Sequence, residues 1–163
     1  MTRRTWSLAL MLLAAALLAT CGGASDEPLT KSEYERELRT TMDDLEAAYG
    51  QAGEAIGGTG GSTRTVGEVV ADLRSSQVAL RDAANRLDEI VPPTELADTH
   101  AELVAGVREM ADNVDLLIEA QESAEQDPAR ARQLARDFVE DESFDRVQAA
   151  AAELSDAGVD AGL

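Results

Sequence analysis

Aromatic side chains are almost missing from this chain: Phe, Trp and Tyr make up 3% of its 163 residues. Beyond residue 20 they are Tyr34, Tyr49, Phe138 and Phe144. A core with so few large rings must be assembled from Leu, Val, Ile and Ala, and such small side chains suit closely approaching helices better than a β-sandwich or an α/β sheet. Cysteine is reduced to Cys21, which excludes a disulfide framework within the chain. Lysine is reduced to Lys31 and histidine to His100. Positive charge of any kind is short: 14 Lys and Arg stand against 32 Asp and Glu, for a formal net charge of -18. Such a chain repels phosphates, and no Lys/Arg stripe offsets this locally, so nucleic acid is not its partner. Lying flat on an anionic membrane is excluded for the same reason, because that mode needs clustered basic residues. The acids themselves read as solvated helix faces that keep the protein soluble.

What is present begins with an export signal. Arg3 and Arg4 form a positive start, Ser7 to Ala19 form an apolar run, and small residues precede Cys21. The apolar run is too short to span a bilayer, which takes about 20 apolar residues. Removing residues 1–20, which hold both arginines and no acid, takes the formal charge from -18 to -20. The segment Leu18-Ala19-Thr20-Cys21 resembles the lipobox of bacterial lipoproteins, with Thr20 where that family usually carries Gly or Ala. The resemblance implies a diacylglycerol group on the Cys21 sulfur, cleavage just before it, and a protein held by lipid on the outer face of the cell membrane. Several acyl chains on one cysteine give durable anchoring where a single chain does not. Thr2-Arg3-Arg4-Thr5-Trp6-Ser7-Leu8 also partly resembles a twin-arginine signal, which leaves the general and the folded-protein export routes both open.

Residues 21–29 then read as the lipidated cysteine and a short tether, 30–157 as one helical bundle, and 158–163 as a frayed end. Thr30 with Glu33, and Thr65 with Glu68, have capping-box spacing at the starts of two helices. The first helix is expected from Lys31 to Ile56, with a stripe of Leu38, Met42, Leu45, Tyr49, Ala52 and Ile56. The second is expected from Val66 to Val91, with Val66, Val69 or Val70, Leu73, Gln77, Leu80, Ala84, Leu87 and Val91 on one face, stopped by Pro92-Pro93. The third is expected from Thr94 to Gln126, with Leu96, His100, Leu103, Val107, Met110, Val114, Leu117 and Gln121 inward. Asp127-Pro128 opens a final helical region, broken near Glu140 to Ser143, that carries Leu134, Phe138, Phe144, Val147, Ala151 and Leu154. No stretch alternates with period two. Narrow, heptad-like stripes and short connections predict an all-α, antiparallel bundle of four helices with coiled-coil-like packing.

Chemistry is sparse. Gly57-Gly58-Thr59-Gly60-Gly61-Ser62 lacks the lysine and the preceding strand of a phosphate-cradling loop, so it reads as a chain reversal. His100 is the one candidate ligand residue, for a metal or a small molecule, and its heptad position turns it toward the core. The bland reading is a buried histidine hydrogen-bonded to a neighbour. Bundle di-iron sites take paired Glu-x-x-His motifs, which one histidine cannot supply. Met42 and Met110 read as core filling, and Asp43-Asp44 and Asp141-Glu142 as solvated acids rather than proton-sharing pairs. There is no catalytic nucleophile motif and no cofactor motif. The stretch Leu87 to Leu96 with its Pro92-Pro93, followed by His100 and Leu103, is similar to a pattern in small all-helical bacterial lipoproteins, and that resemblance implies a helical hairpin without an activity. The expectation is a non-catalytic envelope lipoprotein that engages a protein partner or organises the surface. A small-ligand or metal-binding module built on His100 is the alternative, and self-association through the stripes is open.

Overall fold

The computed structural model describes residues 27–57 and 64–162, with side chains for 27–54 and 64–162. The export signal, Cys21, most of the tether, the Ile56 side chain and the glycine run from 58 to 63 lie outside the described residues. Among the described residues the chain is all-α: helix α1 spans Lys31–Gly57, α2 Val66–Asp88, α3 Ala97–Ser123, α4 Pro128–Val139 and α5 Ser143–Asp156. A 3-10 turn, Thr94–Leu96, leads into α3. The architecture is the antiparallel bundle that the stripes predict, with a fourth rod made of two pieces. At 1.5 Å per residue, the 27-residue α1 is about 40 Å long.

Local signals set the boundaries. The Thr30 amide donates to Glu33 Oε2 at 3.0 Å, and the Thr65 amide donates to Glu68 Oε2 at 2.7 Å, so both capping boxes are formed. Those hydrogen bonds hold both glutamates below the ordinary carboxylate range. Asp127 caps α4 by accepting from the Arg130 amide at 3.0 Å, with Pro128 just inside the helix. Two ends differ from expectation. Helix α2 stops at Asp88 rather than Val91, because the residue before Pro92 cannot stay helical and the last turn unwinds ahead of it. The third helix ends at Ser123 rather than Gln126, in a turn whose Asp127 amide bonds back to the Ser123 carbonyl at 2.8 Å.

The fourth rod breaks where three acids follow one another. Asp141 Oδ1 accepts from the Ser143 amide at 2.8 Å, a local bond that competes with the helical ladder. Helix α4 packs on the C-terminal, upper half of α3, where Arg130 meets Glu119, and α5 on its N-terminal, lower half, where Val147 faces Gly106 and Glu153 accepts from Thr99. The central helix is therefore α3, buried on a wide face that includes Leu103, Val107, Met110, Val114 and Leu117. It approaches α5 closely at Gly106, where an added Cβ would stand 2.8 Å from Val147 Cγ2.

Helix α1 packs extensively against α2 alone. Its seam with α5 is joined by side chains and by the C-terminal tail. That tail corrects the expectation of a frayed end. Gly158 adopts φ +80, the Gly158 amide bonds to Ser155 O at 2.9 Å, and the Val159 amide bonds to Leu154 O at 2.9 Å. This is a Schellman stop, and it turns Val159 and Ala161 into the core, where both are buried. Arg39 of α1 then holds Asp160 at 3.1 Å, and Lys31 Nζ donates to the Ala157 carbonyl at 2.6 Å. The tether also ends docked: the Leu29 amide donates to Val91 O at 3.0 Å.

Arginines stitch the remaining seams. Arg86 reaches Asp44 on α1, Arg74 and Arg81 of α2 reach Glu122 and Asp112 of α3, and Arg108 of α3 reaches Asp88 of α2. Arg130 of α4 and Arg146 of α5 reach Glu119 and Glu109 of α3. Such exposed pairs add little stability one by one, on the order of 0–1 kcal/mol each, but they fix which helix faces which. Among the described residues no helix is long and apolar enough to cross a membrane.

Candidate functional site

His100 faces the core, as its heptad position predicts, and the bland reading describes its surroundings. Its Nε2–H donates to the Leu87 carbonyl at 2.9 Å, and its Nδ1 accepts from the Tyr34 hydroxyl at 2.9 Å. A carbonyl can only accept, so the Leu87 contact fixes the neutral tautomer with hydrogen on Nε2. Burial pushes the ring's pKa below 6.5, outweighing the Leu87 bond and the Asp88 charge that pull it upward. The Tyr34 hydroxyl, also desolvated, is pushed up to about 12. The two rings meet edge to face at 5.5 Å. The trio is a clasp: Tyr34 from α1, His100 from α3, and one of the last carbonyls of α2, which have no helical partners of their own. A ligand at either His100 nitrogen would have to displace one of these bonds. Met42 and Met110 are buried core residues. Among the described residues no three His, Cys, Asp or Glu side chains converge to hold a metal ion. Asp44 meets Arg86 at 3.0 Å, and Asp141 accepts from the Ser143 amide of its own turn at 2.8 Å.

The feature that stands apart lies in the seam between α1 and the α4–α5 elbow. Tyr49 of α1 stacks on Phe144 of α5, with ring centroids 5.6 Å apart and planes 18° from parallel. Both rings remain 39% and 42% exposed, although both sit on predicted apolar stripes. Depressions of about 330 Å³ and about 260 Å³ flank this stack. Tyr49, Met110 and Phe144 line both of them, so they form one groove with two lobes. The lower lobe adds Leu45, Val147 and Gly162, and the upper adds Phe138 and Val139. Val139 is 79% exposed, the most exposed large apolar side chain among the described residues.

The groove lies beside the break in the fourth rod: Phe138 and Val139 come from the end of α4, Asp141 from the turn, and Ser143, Phe144 and Asp145 from the start of α5. The rim is acidic. Glu46, Asp141 and Asp145 line the groove, and Asp137, Glu140 and Glu142 are exposed beside it in the chain. Burial raises the Asp141 carboxyl, but hydrogen bonds from Ser143 and Asn113 and the Arg146 charge outweigh that and keep it ionised below the ordinary Asp value. Among the described residues none of these six acids forms an ion pair with an arginine.

The sequence pattern puts Tyr49, Phe138 and Phe144 on apolar stripes and leaves Tyr34 off them. It did not pair Tyr34 with His100, and it did not gather Tyr49, Phe138 and Phe144 into one surface. A signal was there: the stretch Asp137-Phe138-Val139-Glu140-Asp141-Glu142-Ser143-Phe144-Asp145 alternates acids with large apolar residues and holds no cation. Family models, curated proteins and solved structures give no match to this chain.

Proposed function

We propose that this chain is a non-catalytic, lipid-anchored protein of the bacterial envelope that binds a protein partner through the groove between α1 and the α4–α5 elbow. One observation carries the reading: three of the four aromatic side chains beyond residue 20 line one groove, two of them stacked and half exposed. A chain with so few rings that spends most of them at the surface exposes an apolar patch of the kind that marks an interaction site. Both lobes are shallow and open, a shape that takes side chains of a partner more readily than it encloses a small molecule.

The anchor rests on the lipobox resemblance at Cys21. Tyr49 lies twenty residues along the chain from Leu29, where the tether docks, so a lipid on Cys21 holds the groove about 30 Å from the docked end of the tether. A partner in the space outside the membrane can reach it there.

The test is photo-crosslinking in living cells, with benzoylphenylalanine in place of Phe144 or Tyr49 and, as the control, in place of the exposed Val78 on α2. The reading expects a discrete adduct from the groove positions and none from Val78. Absence of any adduct specific to the groove overturns it. Cys21→Ser is expected to move the protein out of the membrane fraction, and retention there would overturn the anchor.

A further inference from the structure

The geometry points to a cationic amphipathic helix as the occupant of the groove: a partner segment that sets two apolar side chains into the two lobes and lays Arg or Lys over the acidic rim. This rests on the protein-binding reading above and gives the partner its chemistry.

Charge decides between the possible occupants. The groove is bounded by Glu46 on α1, Asp141 in the elbow and Asp145 on α5, with Asp137, Glu140 and Glu142 beside it. Two arginines stand near the rim: Arg136 precedes Asp137 in the chain, and Arg146, whose charge also reaches Asp141, meets Glu109 of α3 at 3.1 Å, so the six acids still outnumber the cations. A second copy would bring the same acids against these, a like-charge contact that disfavours the wrong partner strongly. Anionic lipid is repelled for the same reason. A basic segment gains complementarity at every rim position and is steered inward by the field of a chain at -18.

Shape decides for a helix. Two lobes lie on either side of one stacked pair of rings, in a seam between α1 and α5 where a bundle would otherwise seat a neighbouring rod. Leu45 and Tyr49 of α1 are one helical turn apart, as are Phe144 and Gln148 of α5, and the two pairs wall the lower lobe as a trough in which a docked helix seats anchors at i and i+3 or i+4. The exposed Val139 and the Phe144 ring supply apolar walls that such anchors would cover.

The experiment uses the full chain in a non-ionic detergent and three fluorescein-labelled peptides read by anisotropy. One is a Leu/Lys amphipathic helix, one is its Leu/Glu counterpart, and one has the Leu/Lys composition scrambled so that no apolar face forms. The inference expects the basic amphipathic peptide to bind at least about tenfold more tightly than either other. Phe144→Ala and Tyr49→Ala should each weaken it about tenfold, as loss of an aromatic anchor does. Asp141→Asn with Asp145→Asn should weaken it by a similar factor and flatten its salt dependence. Glu95→Gln with Asp98→Asn, exposed acids at the far end of the bundle, should leave it unchanged. Equal binding of the scrambled peptide, or equal loss from the distant pair, means bulk charge attraction and overturns the inference. Tighter binding of the Leu/Glu peptide, or self-association that Phe144→Ala abolishes, overturns it in favour of another occupant. A groove-specific crosslink in cells would survive those last results, so the two readings fail separately.

Discussion

Replacing Tyr34 by Phe removes one oxygen from the centre of the molecule. The ring stays, so no cavity of consequence opens, and the measured loss isolates the hydroxyl. That hydroxyl is the only donor to His100 Nδ1, at 2.9 Å, and both residues are buried. Without it the imidazole keeps its bond to the Leu87 carbonyl and is left with an unpaired acceptor, which costs about 1–3 kcal/mol. His100→Leu removes the acceptor itself, and the Leu87 carbonyl still receives the Ile90 amide at 3.0 Å. In the His100→Leu background Tyr34→Phe should therefore cost less, with a coupling of about 1–2 kcal/mol. The clasp also links stability to pH. The folded ring has a pKa below 6.5 because burial disfavours its charge, while the unfolded ring titrates near 6.5. Above 6.5 both states are neutral and the full stability is present. As pH falls from 6.5 through the folded value, the unfolded state takes up a proton the folded state resists, and stability drops by at most about 1.4 kcal/mol per pH unit. Urea unfolding of wild type and both variants, followed by circular dichroism on either side of pH 6.5, measures all of this. Carboxylates titrate alike in wild type and His100→Leu, so the difference between them isolates the imidazole. Strict additivity of the two substitutions, or identical pH profiles with and without His100, would refute the clasp.

Three further predictions concern packing. Gly106→Ala should destabilise the protein by about 1–2 kcal/mol in urea titration, because its Cβ would meet Val147 Cγ2 at 2.8 Å and the Ser143 carbonyl at 3.4 Å, more than offsetting alanine's helix preference; Val147→Ala should relieve part of that cost. Ser76→Ala should raise stability by about 1 kcal/mol, since the Ser76 hydroxyl is the one buried side-chain polar atom without a partner among the described residues. Gly158→Ala should cost about 1–2 kcal/mol, because φ +80 is strained for any side chain, and should speed hydrogen exchange at the Val159 amide as the tail loosens.

Much of the fold was legible because its signals are local. The stripe of Leu38, Met42 and Leu45 is buried as read, both capping boxes form, and Asp127-Pro128 opens a helix. Each depends on residues three or four apart, which is all that a period or a cap requires. Tyr34 was missed although it stands one turn before Leu38 and prolongs the same stripe. The turn at Gly158 was also there to be read, since a glycine followed by an apolar residue is the pattern of a Schellman stop. What local pattern could not supply is which stripes meet. Tyr49 and Phe144 sit on good stripes and are 39% and 42% exposed, because a stripe does not say which element will cover it. The groove is a product of tertiary arrangement, and its rim is visible in the sequence only as an acidic stretch that resembles any solvated face.

The distribution of cations ties the fold to the proposed activity. Acids outnumber cations 32 to 14 in this chain, and many of the described ion pairs place arginine at seams where helices already touch: Arg86 between α2 and α1, Arg108 between α3 and α2, Arg130 and Arg146 between the fourth rod and α3. At the upper α1–α5 seam that pairing stops, and Glu46, Asp141 and Asp145 are left around exposed rings. Carboxylates at the edge of an apolar cleft oppose its closure, since drawing them together costs repulsion and desolvation with no cation in return. The same arrangement makes the cleft receptive, because an incoming arginine or lysine supplies the charge the seam lacks while its apolar neighbours cover Tyr49, Phe144 and Val139. Stability and binding thus pull in opposite directions at this one place. A substitution that put a cation into the elbow, such as Asp145→Arg, should stabilise the free protein and weaken its hold on a basic helix. Were both to rise together, the acids of the rim would have no part in recognition.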